Sequence, residues 1–102
     1  MNVWVANFFG KSVMKLRPSD GVVIGTFPVD DGAAGLAVAG PHLWVANSGT
    51  DRVTELRILD GTVVERFRVG KTPAAVAFDG THIWVPNSGS NTVSKRQAVG
   101  PA

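Results

Sequence analysis

His42-Leu43-Trp44-Val45-Ala46-Asn47-Ser48-Gly49 returns as His82-Ile83-Trp84-Val85-Pro86-Asn87-Ser88-Gly89, and its centre is already present as Trp4-Val5-Ala6-Asn7. The three tryptophans stand 40 residues apart, without slippage. Other landmarks keep that step: Val13, Val53 and Val93; Phe27 and Phe67; Val29 and Val69; Ala37 and Ala77; Gly40 and Gly80. A fixed period of about 20–50 residues marks stacked supersecondary units, each unable to bury its own apolar surface alone. The three units fall at residues 1–32, 33–72 and 73–102. Together they make one partial domain.

Each unit reads as four short strands, A to D. In the middle unit strand A is Gly35 to Ala39, and Gly40-Pro41 turns into strand B, Leu43 to Ala46. Asn47 to Asp51 is a loop of residues that tolerate left-handed backbone and hydrogen-bond locally. Strand C is Arg52 to Ile58. Asp60-Gly61 predicts a two-residue hairpin with positive φ at both positions. Strand D is Thr62 to Val69, with Val63, Glu65, Phe67 and Val69 on one face at period two. No run sustains a helical stripe, so the class is all-β. The first unit holds strands B, C and D. The last holds A (Ala74 to Phe78), B and C, with Pro86 predicting an end or bulge in its strand B.

Four antiparallel strands in about 40 residues is the arithmetic of a β-propeller blade. Trp44-Val-Ala-Asn-Ser-Gly-Thr-Asp-Arg-Val-Thr, followed by Val69-Gly70-Lys71-Thr72-Pro73-Ala74-Ala75-Val76-Ala77, resembles the YVTN/NHL-type propeller repeat, and streptogramin-lyase-like repeats are similar. The match weakens in the first unit, where Phe8-Phe9 replaces Ser-Gly, and between Asp30 and Ala33. The resemblance implies two and a half blades of a ring that typically has about four to eight. It also implies a binding or scaffolding module acting through self-assembly or inside a larger propeller. The other reading is a fragment of a propeller enzyme, a lyase or lactonase, without activity of its own.

Composition narrows the function classes. Of 102 residues, 44% are hydrophobic and 18% charged, a globular balance. The ten basic residues are scattered along the chain, so no nucleic-acid interface is expected. With no cysteine, disulfides and thiolate metal sites are excluded. No apolar run approaches the roughly 18 residues of a membrane helix, and no membrane partner is expected. Each blade face needs a neighbour, so homo-oligomerisation through blade faces and strand pairing is expected.

In such a ring the B–C and D–A loops share one rim, and the A–B and C–D hairpins the other. The first rim gathers Asn47, Ser48, Asp51, Lys71, Asn87, Ser88 and Asn91, with Asp30, Asp31 and Thr72 beside them. They read either as a surface for a protein or small polar ligand, or as turn chemistry repeated in each unit. His42 and His82 precede the Trp strands at the A–B turn and are expected to be exposed. Glu55 and Glu65 are expected to pair on the surface with Arg57 and Arg66. No carboxylate, histidine or Ser-Gly pair has the context of a catalytic, metal or cofactor site. The expectation is therefore no enzyme, no metal and no cofactor. Trp4, Trp44 and Trp84 are expected in interblade packing, each burying roughly 150–250 Å².

Overall fold

Short β-branched and aromatic runs, cut by Gly, Pro, Asn and Asp, give ten strands and no helix among the described residues. The computed structural model describes residues 2–98. The first sheet is β1 (Val3–Asn7), β2 (Ser12–Leu16) and β3 (Val23–Pro28), in that order. The middle sheet is β4 (Ala33–Ala39), β5 (His42–Asn47), β6 (Arg52–Arg57) and β7 (Val63–Arg68). The third is β8 (Ala77–Phe78), β9 (His82–Asn87) and β10 (Thr92–Gln97), with β9 central. All pairing is antiparallel, and Trp4 faces Lys15, Trp44 faces Glu55 and Trp84 faces Lys95 in one shared register.

The core lies between the sheets, in two layers built from the same repeat positions. Trp4, Ala6, Val13 and Phe27 of the first sheet pack on Leu43, Val45, Leu56 and Val63 of the middle one. On its other face Trp44, Ala46, Val53 and Phe67 pack on Ile83 and Val85 of the third. Phenylalanines from β3 and β7 meet two of the three indoles: the Trp4–Phe27 and Trp44–Phe67 centroids are 5.9 and 5.8 Å apart. Such tilted aromatic pairs add about 0.5–1.5 kcal/mol beyond their buried area. Trp44 is 2% exposed, buried between the middle and third sheets.

Several local expectations change. The Asp-Gly turns are four-residue loops: Arg17 N donates to Val22 O, Arg57 N to Thr62 O, and only Gly21 and Gly61 have positive φ. The aspartates stay on ordinary backbone because their carboxylates accept the Val22 and Thr62 amides. Strand D does not keep one face. A bulge opposite Glu55 and Leu56 makes Val64 the extra residue, so Val63 turns to the first sheet and Phe67 to the third.

Pro86 neither ends nor bulges β9, which pairs with β10 in unbroken register. Pro86 O accepts the Ala74 amide, so the missing N–H also points to the strand A side. That ladder is the one that suffers. Only Ala77–Phe78 remains strand there, with an isolated bridge from Pro73 to Asn87. β8 is therefore shorter than the Ala74 to Phe78 expected.

Strand A lies close against the backbone of the next unit. A Cβ at Gly35 would stand 2.5 Å from the Ala75 Cα, so no side chain fits there. The D–A loop carries the opposite situation at Thr72, a β-branched residue at φ 54° where the preceding repeat has Gly32 at φ 76°. Left-handed backbone costs an L-residue about 1–2 kcal/mol, part of which glycine's greater chain entropy would offset. Thr72→Gly is expected to raise stability by about 0.5–1 kcal/mol in urea denaturation. An unchanged or lower midpoint would show that the threonine side chain compensates its backbone.

Candidate functional site

The loops expected on one rim are clasped together. Ser48 and Gly49 amides donate to the carbonyls of Gly32 and Asp31, at 2.9 and 3.1 Å. Forty residues on, the Ser88 and Gly89 amides donate to Thr72 and Lys71, at 3.1 and 2.9 Å. The serine hydroxyls reach the same carbonyls, Ser48 to Gly32 and Ser88 to Thr72, both at 3.0 Å. Asp51 adds a crossing bond, its Oδ1 accepting the Thr72 amide at 2.9 Å.

The rim residues thus divide by what their side chains do. Asn47 and Asn87 are buried and turned inward, Asn47 Nδ2 donating to Thr54 Oγ1 at 2.8 Å and Asn87 Nδ2 to Ser94 Oγ at 3.0 Å. Ser48, Ser88 and Asp51 are engaged in the clasps. Lys71 and Asn91 present exposed side chains, Asn91 from left-handed backbone at φ 54°. In the first unit, Phe8 and Phe9 occupy the Ser-Gly positions and stack edge-on at 5.0 Å, with Phe9 92% exposed.

A second group of residues, on the seam between the middle and third sheets, departs from the repeat at Glu55, Glu65 and Arg96. His42 is not an exposed turn residue: its Nδ1 lies 2.5 Å from Glu55 Oε2, with the two side chains 28% and 9% exposed. Glu65 pairs across the seam with Arg96, which also lies over the Phe67 ring, 4.0 Å from its centroid. The expected partners go elsewhere, Arg57 to Asp60 at 3.5 Å and Arg66 to Asp30 at 3.3 Å. The earlier repeat has Asn2, Lys15 and Gly25 at the positions of His42, Glu55 and Glu65, and Leu56 at that of Arg96. This break in symmetry was a signal available in the sequence. An imidazole oriented by a carboxylate can serve as a general base. Here the pair fills a seam between two sheets and satisfies a buried acid. No group of three or more His, Asp or Glu side chains able to hold a metal gathers among the described residues.

His82 is placed differently. Its Nδ1 contacts Thr81 Oγ1, and its amide donates to Asp79. Asp79 also accepts the Trp84 indole N–H at 2.8 Å and the Thr81 amide at 2.9 Å. The His82 amide foremost, then the Trp84 indole, hold its carboxyl well below the ordinary 3.8. In the middle sheet Ala39 stands at that position, and the buried Trp44 Nε1 has no partner among the described residues.

The likeness to solved structures is one of fold. A chain titled Kuenenia stuttgartiensis Hydrazine Synthase superposes with TM-score 0.88 at 23% identity, over 95% of this chain and 29% of its own. The computationally designed Ika4 protein gives TM-score 0.80 at 12% identity, over 94% of this chain and 59% of its own. The computationally designed Ika8 protein gives 0.79 at 12% identity, over 94% and 30%. The chain therefore spans less than two thirds of each. No family model matches it, and no curated protein matches it.

Two measurements check these roles. His42→Ala leaves the Glu55 carboxylate without its imidazole, and a loss of about 1–3 kcal/mol in denaturant is expected; no loss would show that the pair is replaced from solvent. A depressed carboxyl stabilises the fold above its ordinary value, and the benefit fades as the pH falls below 3.8. Asp79→Asn is therefore expected to flatten the acid limb of the stability profile, measured by thermal melts in buffers down to strongly acid pH.

Proposed function

We propose that this chain is a binding or scaffolding module built of β-propeller blades, which works by joining further blades through its two outer sheet faces. The observation that carries the reading is positional. The outer face of the first sheet presents Val3, Val5, Leu16 and Val23, at the positions of Leu43, Val45, Leu56 and Val63 that receive the first sheet internally. The outer face of the third presents Trp84, Pro86 and Val93, at the positions of Trp44, Ala46 and Val53 that receive the third sheet. Val3 is 48% exposed and Val93 63%, so both halves of the internal interface stand open. A contact between unlike faces of two copies is heterologous, and closes into a ring if its rotation closes.

Lys71 and Asn91 are the rim groups we assign to a protein or small polar ligand, since Asn47, Ser48, Asp51, Asn87 and Ser88 are occupied in holding the loops. No residue is given a catalytic role. The second reading, an arc of a larger propeller enzyme of the lyase or lactonase kind, is favoured by one observation: the chain spans 29% of the hydrazine synthase chain it superposes on.

Light scattering behind size exclusion, over a tenfold range of concentration, tests the first reading. A defined oligomer is expected for the chain, and a monomer for Val93→Lys, which places a charge on an exposed face without touching the core. Leu59→Lys, in the C–D turn, should leave the oligomer unchanged. A wild-type monomer throughout the range would defeat self-association and leave the arc reading.

A further inference from the structure

β1 pairs with β2 on one edge and has no neighbour on the other among the described residues. Its equivalent, β5, carries β4 on that edge, with Gly35 opposite Ala46, Ala37 opposite Trp44 and Ala39 opposite His42. Beside β1 there is a cavity of about 430 Å³, lined by Asn2, Trp4, Val38 and Ile58. Forty residues on, those positions are His42, Trp44, Phe78 and Ala98, and there Trp44, Phe78 and Ala98 are packed together with Ala37 and Ala39. The cavity thus marks the space beside Trp4 that small side chains of a strand fill beside Trp44.

The edge is also unguarded. Exposed edges are commonly protected by charge or proline. One edge of each sheet follows this, with Pro28 ending β3, Glu65, Arg66 and Arg68 on β7 and Lys95 and Arg96 on β10, whereas the opposite edges β1, β4 and β8 carry neither.

We propose that the free edge of β1 and the cavity beside it form a docking site for one extended peptide segment, bound antiparallel, with Gly or Ala at alternate positions. Main-chain hydrogen bonds to β1 supply the affinity, and the spacing of small side chains supplies the selection. The chain itself displays the chemistry required in Gly35-Leu36-Ala37-Val38-Ala39, where the small residues face the next sheet and Gly35 admits no Cβ. The site goes beyond the face-to-face association proposed above and does not depend on it, because strand addition uses the edge of the first sheet and association uses its face.

The probe is a synthetic peptide copying residues 33–39 with lysines at both ends, titrated into the full chain at a concentration where light scattering shows monomers. A saturable change in tryptophan emission is expected, with slower amide exchange in Val3 to Asn7. N-methylation of the peptide backbone at one alternate set of residues should weaken binding by about tenfold, and at the other set leave it unchanged, since only one set faces β1. Replacing both Ala37 and Ala39 in the peptide by leucine should also weaken it. No saturable binding, binding with exchange in β1 unchanged, or equal tolerance of both N-methylated sets would each overturn the proposal. A chain that stays monomeric yet binds the peptide defeats the association and leaves the docking site standing. An oligomer whose monomers bind no peptide does the reverse.

Discussion

Every sheet in this chain is apolar on both faces, and that constraint governs the rest. A sheet with one solvated face could stand on a single partner; these need two. The middle sheet has both, and its Trp44, Leu43, Val45 and Leu56 are all at most 2% exposed. The outer sheets have one each, and their unpaired faces carry the exposed valines. The clasp between loops at one rim, and the bonds from Ile58 N to Pro41 O and from Ala98 N to Thr81 O at the other, pin hairpins at both edges of the sheets. Hydrophobic burial is non-directional, so it is these bonds that settle how strands and turns lie against one another.

What the sequence made legible was what the period makes legible. Trp4, Trp44 and Trp84 announced three units, the strand runs announced all-β antiparallel structure, and the Asn-Ser-Gly loops fell where expected. Errors came where a single residue works against its repeat. Val63 left the Phe67 face because a bulge adds one residue to a period of two, and no propensity scale marks that residue. Pro86 did its damage to β8 and spared β9, since a strand's N–H and C=O alternate sides and the sequence does not say which side the proline takes.

The rim was read as one group of seven residues, and the structure sorts it by depth. Asn47 and Asn87 are interior, which their polarity concealed. Their hydrogen-bonding partners, Thr54 and Ser94, are seven residues away on the next strand and show only once the register is known. The histidine was misjudged for a related reason. A turn position says nothing of what lies across the sheet, and Glu55 reaches His42 only because β5 and β6 run antiparallel in that particular register. The departure of Glu55 from Lys15 and Lys95 was nonetheless visible in the repeat.

Internal repetition would ordinarily let units be traded, duplicated or dropped in steps of one period. The charged seam limits that freedom. Arg96 on the third sheet finds Glu65 on the middle one; set against the first sheet instead, it would find Gly25, and the acid it neutralises would be gone. Glu55, by contrast, carries its histidine on the same unit and travels with it. The apolar positions are therefore interchangeable couplings, while Glu65 and Arg96 work as an address that fixes which unit follows which. A chain of near-identical parts keeps a unique order through two residues that are not repeated.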